Sequence, residues 1–198
     1  LNSLDLYDGL FDLANKYDTK ITMHLAESRT EVDYTLENYG RRPVELMYEK
    51  GYLDDNVLAA HMIFVNDKEM NMIDESNSSI VWCPSVDAMV MGPSRANLML
   101  ERGNPVVFGS DGGEWNNLDL FEQSRQGRIT AKLQSNSLYH EKTSLNTEKT
   151  FKMLTKFSEN IIEEPVGKIE ENYKADIIIL DPKNNLLPRY DRLNTVVN

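Results

Sequence analysis

Four residues able to act on a substrate lie at or just beyond the ends of short apolar runs. His24 and Glu27 close Lys20-Ile-Thr-Met-His24-Leu-Ala-Glu27, His61 ends Val57-Leu-Ala-Ala-His61, and Asp111 follows Pro105-Val-Val-Phe-Gly109-Ser. Two of the three histidines in the chain hold such positions. A hydrolytic metal takes neutral imidazole and carboxylate ligands and keeps one position open for water. His24 and Asp111 can supply one nitrogen and one oxygen. Glu27, past the strand end, can shuttle a proton. His61 can hydrogen-bond the reacting water or a developing oxyanion. Two ligands fall short of the three or more that a catalytic metal commonly takes, so a further pair is expected elsewhere. Each residue also has a plainer reading. His24 and His61 can be satisfied structural histidines, Asp111 can shape a turn between its glycines, and Glu27 can be an acid favoured at a helix start.

The elements that must position these residues alternate. Leu4, Leu6, Leu10, Leu13 and Ala14 recur at helical spacing, so the chain opens with an amphipathic helix. Strands are expected over 20–24, 57–61, 79–83 and 105–109. Helical signals run from 29 to 50, broken by Gly40 and Pro43, and then over 93–102, 117–134 and 147–157. Asn66 with Glu69 three residues on predicts a capped helix start, with Met70 and Ile73 facing the core. Short apolar strands alternating with helices imply a parallel sheet covered by crossover helices. In a barrel of this kind the active site lies at the C-terminal strand ends, where the four residues fall. The fold class is therefore α/β: about four βα units, the C-terminal half of a TIM-type (β/α)8 barrel, over residues 1–158. Residues 159–198 change character. Ala175 to Leu180 reads as a strand opening a small β-sandwich domain, with a last strand candidate over 194–197. Four strands leave open edges, so further strands are expected from an upstream segment or a second copy.

The ordered set His24-Leu-Ala-Glu27, Ala60-His61, Cys83-Pro-Ser85 and Gly109-Ser-Asp111-Gly resembles the amidohydrolase superfamily. The resembling branch holds guanine deaminase, S-adenosylhomocysteine/methylthioadenosine deaminase and the triazine hydrolases. Asn116-Asn117-Leu-Asp119, Gly167-Lys-Ile-Glu, Lys174-Ala-Asp176 with Asp181, and Pro188-Arg-Tyr-Asp191 extend the likeness over nearly the whole chain. The resemblance implies His24 and Asp111 as metal ligands, with Asp111 also a proton acceptor. It implies Glu27 as proton shuttle to a ring nitrogen and His61 as the base that polarises water or substrate. It further implies zinc, with iron as the alternative, and hydrolysis of a C–N bond on a purine, pyrimidine or triazine by metal-activated water. The family's His-x-His pair would precede Leu1. Phe64 stands where relatives often carry another His, 86–91 lacks the usual Asn-rich loop, and Glu114-Trp115 replaces small residues.

Composition bounds the partners. The 198 residues carry a net charge of −11, which disfavours nucleic acid and anionic membrane surfaces. The single cysteine, Cys83, cannot form an internal disulfide and fits a reducing cytoplasm; it reads as a small buried hydrophobe. A small heterocyclic substrate is the expected partner, together with a second copy or the upstream segment. The alternative is a catalytically incomplete fragment or degenerate homologue acting only through association.

Overall fold

The computed structural model describes residues 2–113, 117–135 and 145–180. In chain order its elements are α1 (Leu4–Tyr17), β1 (Ile21–Leu25), α2 (Arg29–Tyr39), α3 (Pro43–Glu49), β2 (Val57–His61) and α4 (Asp67–Ser76). There follow β3 (Ser79–Trp82), the short α5 (Pro84–Val86), a π-helical turn (Asp87–Met91), α6 (Ala96–Arg102), β4 (Val106–Phe108), α7 (Leu120–Gln134), α8 (Thr147–Leu154) and α9 (Phe157–Ile162). The four strands form one parallel sheet in the order β1-β2-β3-β4. This is the expected half-barrel, with strand bounds within a residue or two of those read from the sequence.

Local chemistry accounts for the helix starts. Ser3, Ser28, Asn66, Asp119 and Asn146 each accept a backbone N–H from the first turn of the helix that follows. At Asn66 the capping box is complete: Asn66 accepts from Glu69 N at 2.9 Å, and Glu69 accepts from Asn66 N at 2.9 Å. The Glu69 side chain is fully buried, and its carboxylate pairs with Arg42 Nε at 2.7 Å. Arg42 also donates to the Phe64 carbonyl. Arg42→Ala is expected to destabilise the fold by about 1.5–3 kcal/mol, because it leaves a fully buried carboxylate with only the Asn66 N–H as donor. A urea midpoint that does not move would show that Glu69 finds another partner.

Sheet register divides the side chains between two faces. Ala59, Ile80 and Val106 pair across the strands and bury against the helices, beside Met70 and Ile73 of α4 and Met99 of α6. The intervening row His24, Ala60, Val81 and Val107 faces the other way, into what would be the barrel interior.

Three elements depart from the sequence-based expectation. The expected apolar stripe of α1 makes its buried face only in part: Ala14 is buried and Leu4 packs on the core, but Leu6, Leu10 and Leu13 are exposed, and Phe11, outside the stripe, is buried. Tyr52 decides the rotation by stacking on Phe11 at 4.9 Å and on Tyr7 at 5.7 Å. The single helix expected over 147–157 is two helices. It breaks at Thr155 (φ −135°, ψ −89°), whose hydroxyl donates to the Phe151 carbonyl at 2.8 Å and so competes with the helical pattern. Ala175 to Leu180 takes no regular structure. A strand needs a neighbour for its backbone groups, no strand among the described residues pairs with this segment, and Ile177, Ile178 and Ile179 are exposed. The 194–197 strand candidate, Asp181 and Pro188–Asp191 lie outside the described residues. No described helix is long and apolar enough to cross a membrane.

Candidate metal and proton-transfer site

The C-terminal strand ends open into a cavity of about 620 Å³ lined by His24, Glu27, His61, Cys83, Gly109 and Asp111, among others. His24 reaches it from β1, opposite Ala60. The small Ala60 and Gly109 leave room for the imidazole. Gly109 itself is needed where it stands: a Cβ there would lie 2.6 Å from Val81 Cγ1 and 3.0 Å from Cys83 Sγ.

His61 arrives by a less regular route. Its register partner is Leu25, a side chain of the helix-facing core. Alternation along β2 would send His61 to that side as well. Instead its backbone takes φ +75°, followed by φ +53° at Met62, and the ring turns into the cavity. There it meets His24 with ring centroids 5.0 Å apart. Non-glycine residues at positive φ persist only where surrounding contacts hold them. Met62 N donates to the Leu25 carbonyl at 3.1 Å, Ser94 Oγ donates to the His61 carbonyl, and Gln134 Nε2 donates to the Ser94 carbonyl at 2.7 Å. Ala26 (φ +52°) and Asp111 (φ +57°) are two further positive-φ residues at the same rim.

Glu27 is placed by Glu31. The Glu31 carboxylate accepts the Ala26 N–H at 3.1 Å and the Glu27 N–H at 2.8 Å, which fixes the turn after β1. Burial pushes the Glu31 carboxyl above its ordinary value, against the pull of these backbone donors.

One ligand atom each from His24, Glu27 and His61 lies within 4.8 Å of the other two, a spacing from which all three could grip one cation. Asp111 stands in the same cavity, outside that trio. The donors fit a divalent metal: two imidazoles with carboxylates nearby, and a His61 Nε2 that is buried with no hydrogen-bond partner among the described residues. Cys83 is no candidate nucleophile. Burial, with Asp87 and Asp111 close by, pushes its thiol up to about 12. His140, Glu114 and Trp115 lie outside the described residues.

Asp87, Glu31 and Ser94 escaped the sequence reading. Asp87 is buried, and its Oδ1 lies 2.8 Å from His61 Nδ1. Burial draws the imidazole down and the carboxyl up. Their mutual hydrogen bond and charge oppose both shifts and outweigh burial at His61, so the imidazole holds a proton more tightly than a free histidine does. The available signal was one acid isolated in Val86-Asp-Ala-Met-Val-Met91.

A parallel half-barrel with imidazoles and carboxylates gathered at its C-terminal rim defines a class of metal-dependent hydrolases. The chain belongs to the amidohydrolase family, whose model matches residues 2–198. It is 32% identical over 199 residues to 5-methylthioadenosine/S-adenosylhomocysteine deaminase of Pyrococcus horikoshii, covering 98% of this chain and 46% of that protein. Its fold is similar to that of guanine deaminase from C. acetobutylicum with guanine bound, with TM-score 0.76 and 29% identity over 87% of this chain and 42% of the other. It also matches an adenosine deaminase from Xanthomonas campestris with bound zinc, with TM-score 0.87 and 24% identity over 96% of this chain and 44% of the other. The chain thus spans about half the length of the relatives it matches.

Proposed function

We propose that this chain carries the C-terminal part of the active site of an aminohydrolase that deaminates a nitrogen heterocycle, a purine base or adenine nucleoside foremost. The convergence of His24, Glu27 and His61 on one point, in a cavity that Asp111 also lines, carries the reading. The likeness to a methylthioadenosine/S-adenosylhomocysteine deaminase and to a guanine deaminase supports the substrate class.

In this reading His24 and Asp111 hold a divalent cation, zinc first and iron second, which when bound supplies an activated water. Asp111 accepts the proton that water gives up. Glu27 delivers a proton to the ring nitrogen as the ring carbon is attacked, and His61 Nε2 orients the water or stabilises charge on the substrate. Residues beyond 158 lead into a small β domain, a division supported by the exposed apolar run Ile177–Leu180.

Ammonia release from methylthioadenosine, S-adenosylhomocysteine and guanine by the whole protein, with bound metal measured alongside, tests this. Zinc-loaded protein that releases no ammonia from any of them would sink it. A second reading, function only through association, is favoured by β1 as an edge strand with Thr22 and His24 exposed. A metal-free oligomer of this chain in size-exclusion chromatography would favour it.

A further inference from the structure

The least expected feature of the site is a carboxylate that faces neither the cavity nor solvent. The Asp87 side chain is 1% exposed and so is that of His61. Asp87 reaches the imidazole through an uncommon backbone. Its N–H donates to the Cys83 carbonyl at 3.0 Å, and its own carbonyl accepts from Gly92 N at 2.7 Å, a π-type closure across five residues. Turns of this kind concentrate at functional sites. Its Oδ1 meets His61 Nδ1 at 2.8 Å, while Oδ2 has no partner among the described residues. A buried acid with a single hydrogen bond costs stability, and packing alone does not explain its presence at this position. The other end of the imidazole, Nε2, is the buried atom without a partner, in a cavity shared with His24, Glu27 and Asp111.

We infer that Asp87 is a positioning residue for the reaction: it accepts the Nδ1–H of His61, holds the ring against the strained 61–62 backbone, and leaves the Nε2 lone pair facing the reacting atoms. An ionised carboxylate can only accept a hydrogen bond, so Nδ1 must carry the hydrogen and neutral His61 is confined to the tautomer an unrestrained imidazole disfavours. The inference rests on the reading of His61 as the group that polarises water or substrate. It adds the device that makes His61 competent.

Long-range ¹H–¹⁵N spectra of the protein labelled at histidine read the tautomer directly, with the His61 signals assigned by their loss in His61→Gln. The wild type is expected to show Nδ1–H at His61. Asp87→Leu, similar in size and without an acceptor, is expected to revert to Nε2–H and to lower ammonia release by about 10–100-fold, the usual cost of losing an orienting partner, with the fold intact by circular dichroism. Nε2–H in the wild type, or Nδ1–H retained in Asp87→Leu, would overturn the inference. So would unchanged turnover in a variant whose tautomer has switched. Should Asp87→Leu fail to fold, the wild-type tautomer decides alone. An inactive wild type that still shows Nδ1–H removes the deaminase reading and leaves the Asp87–His61 pair standing.

Discussion

Replacing Asp111 with Asn is expected to lower ammonia release by about 10²–10⁴-fold, the share that one positioned proton-transfer group commonly contributes, and to reduce bound zinc as well. Asn is the informative replacement because Asp111 holds φ +57°. Asparagine tolerates that backbone, whereas alanine would add strain of the order of 1 kcal/mol and blur the cause of any loss. His24→Ala should likewise reduce bound zinc, since it removes the one nitrogen ligand assigned to β1. Glu27→Gln should behave differently. Turnover should fall by a similar factor while zinc is retained, because the proposed role of Glu27 is proton delivery. The grouping of His24, Glu27 and His61 ligand atoms within 4.8 Å makes this contrast decisive. If Glu27→Gln empties the site, Glu27 is itself a ligand. If Asp111→Asn and His24→Ala both turn over substrate normally, the assignment of the site fails.

Trp82→Ala is expected to destabilise the fold by about 3–5 kcal/mol, as for other large aromatic side chains removed from a core. Trp82 is fully buried and stacks on Phe108 with centroids 5.6 Å apart. The pair forms the bed on which α7 lies. Gly127 of that helix comes so near that a Cβ would sit 2.6 Å from Phe108 Cε1 and 3.4 Å from Trp82 Cζ3. This sets up a sign test. Gly→Ala within a helix ordinarily stabilises by about 1 kcal/mol. Here overpacking of about 1–3 kcal/mol opposes that gain, so Gly127→Ala is expected to lower the urea midpoint. The same substitution with Trp82 already removed should be better tolerated, because Phe108, which the added Cβ strikes, can then move into the space its stacking partner has left. A Gly127→Ala protein more stable than wild type would show that α7 does not press on the aromatic pair.

Much of this molecule was legible without coordinates. The strand–helix alternation, the order of four parallel strands and the capping box at Asn66 follow from local rules: apolar runs of strand length, and side-chain oxygens that satisfy free N–H groups at helix starts. His24, Glu27, His61 and Asp111 were legible because the C-terminal ends of parallel strands share one rim whatever the loop details. Contacts distant in sequence were less accessible. Tyr52 stacks across 41 and 45 residues onto Phe11 and Tyr7 (52 − 11 and 52 − 7) and rotates α1 away from its leucine stripe. Ala175 to Leu180 has strand composition, yet composition cannot supply the partner a strand requires.

By itself, then, the sequence determined the element types, the rim at which chemistry would gather and the donor atoms available there, because each depends on a few neighbouring residues. Only the tertiary structure decided which way His61 faces and what lies behind it. Its direction depends on a positive φ, held by Leu25 from one strand and Ser94 from a loop. Its second ring nitrogen is satisfied by an acid 26 residues away, carried in on a π-turn. Strand periodicity predicts the opposite face for His61, and a fold that overrides it does so through long-range hydrogen bonds that no local pattern encodes.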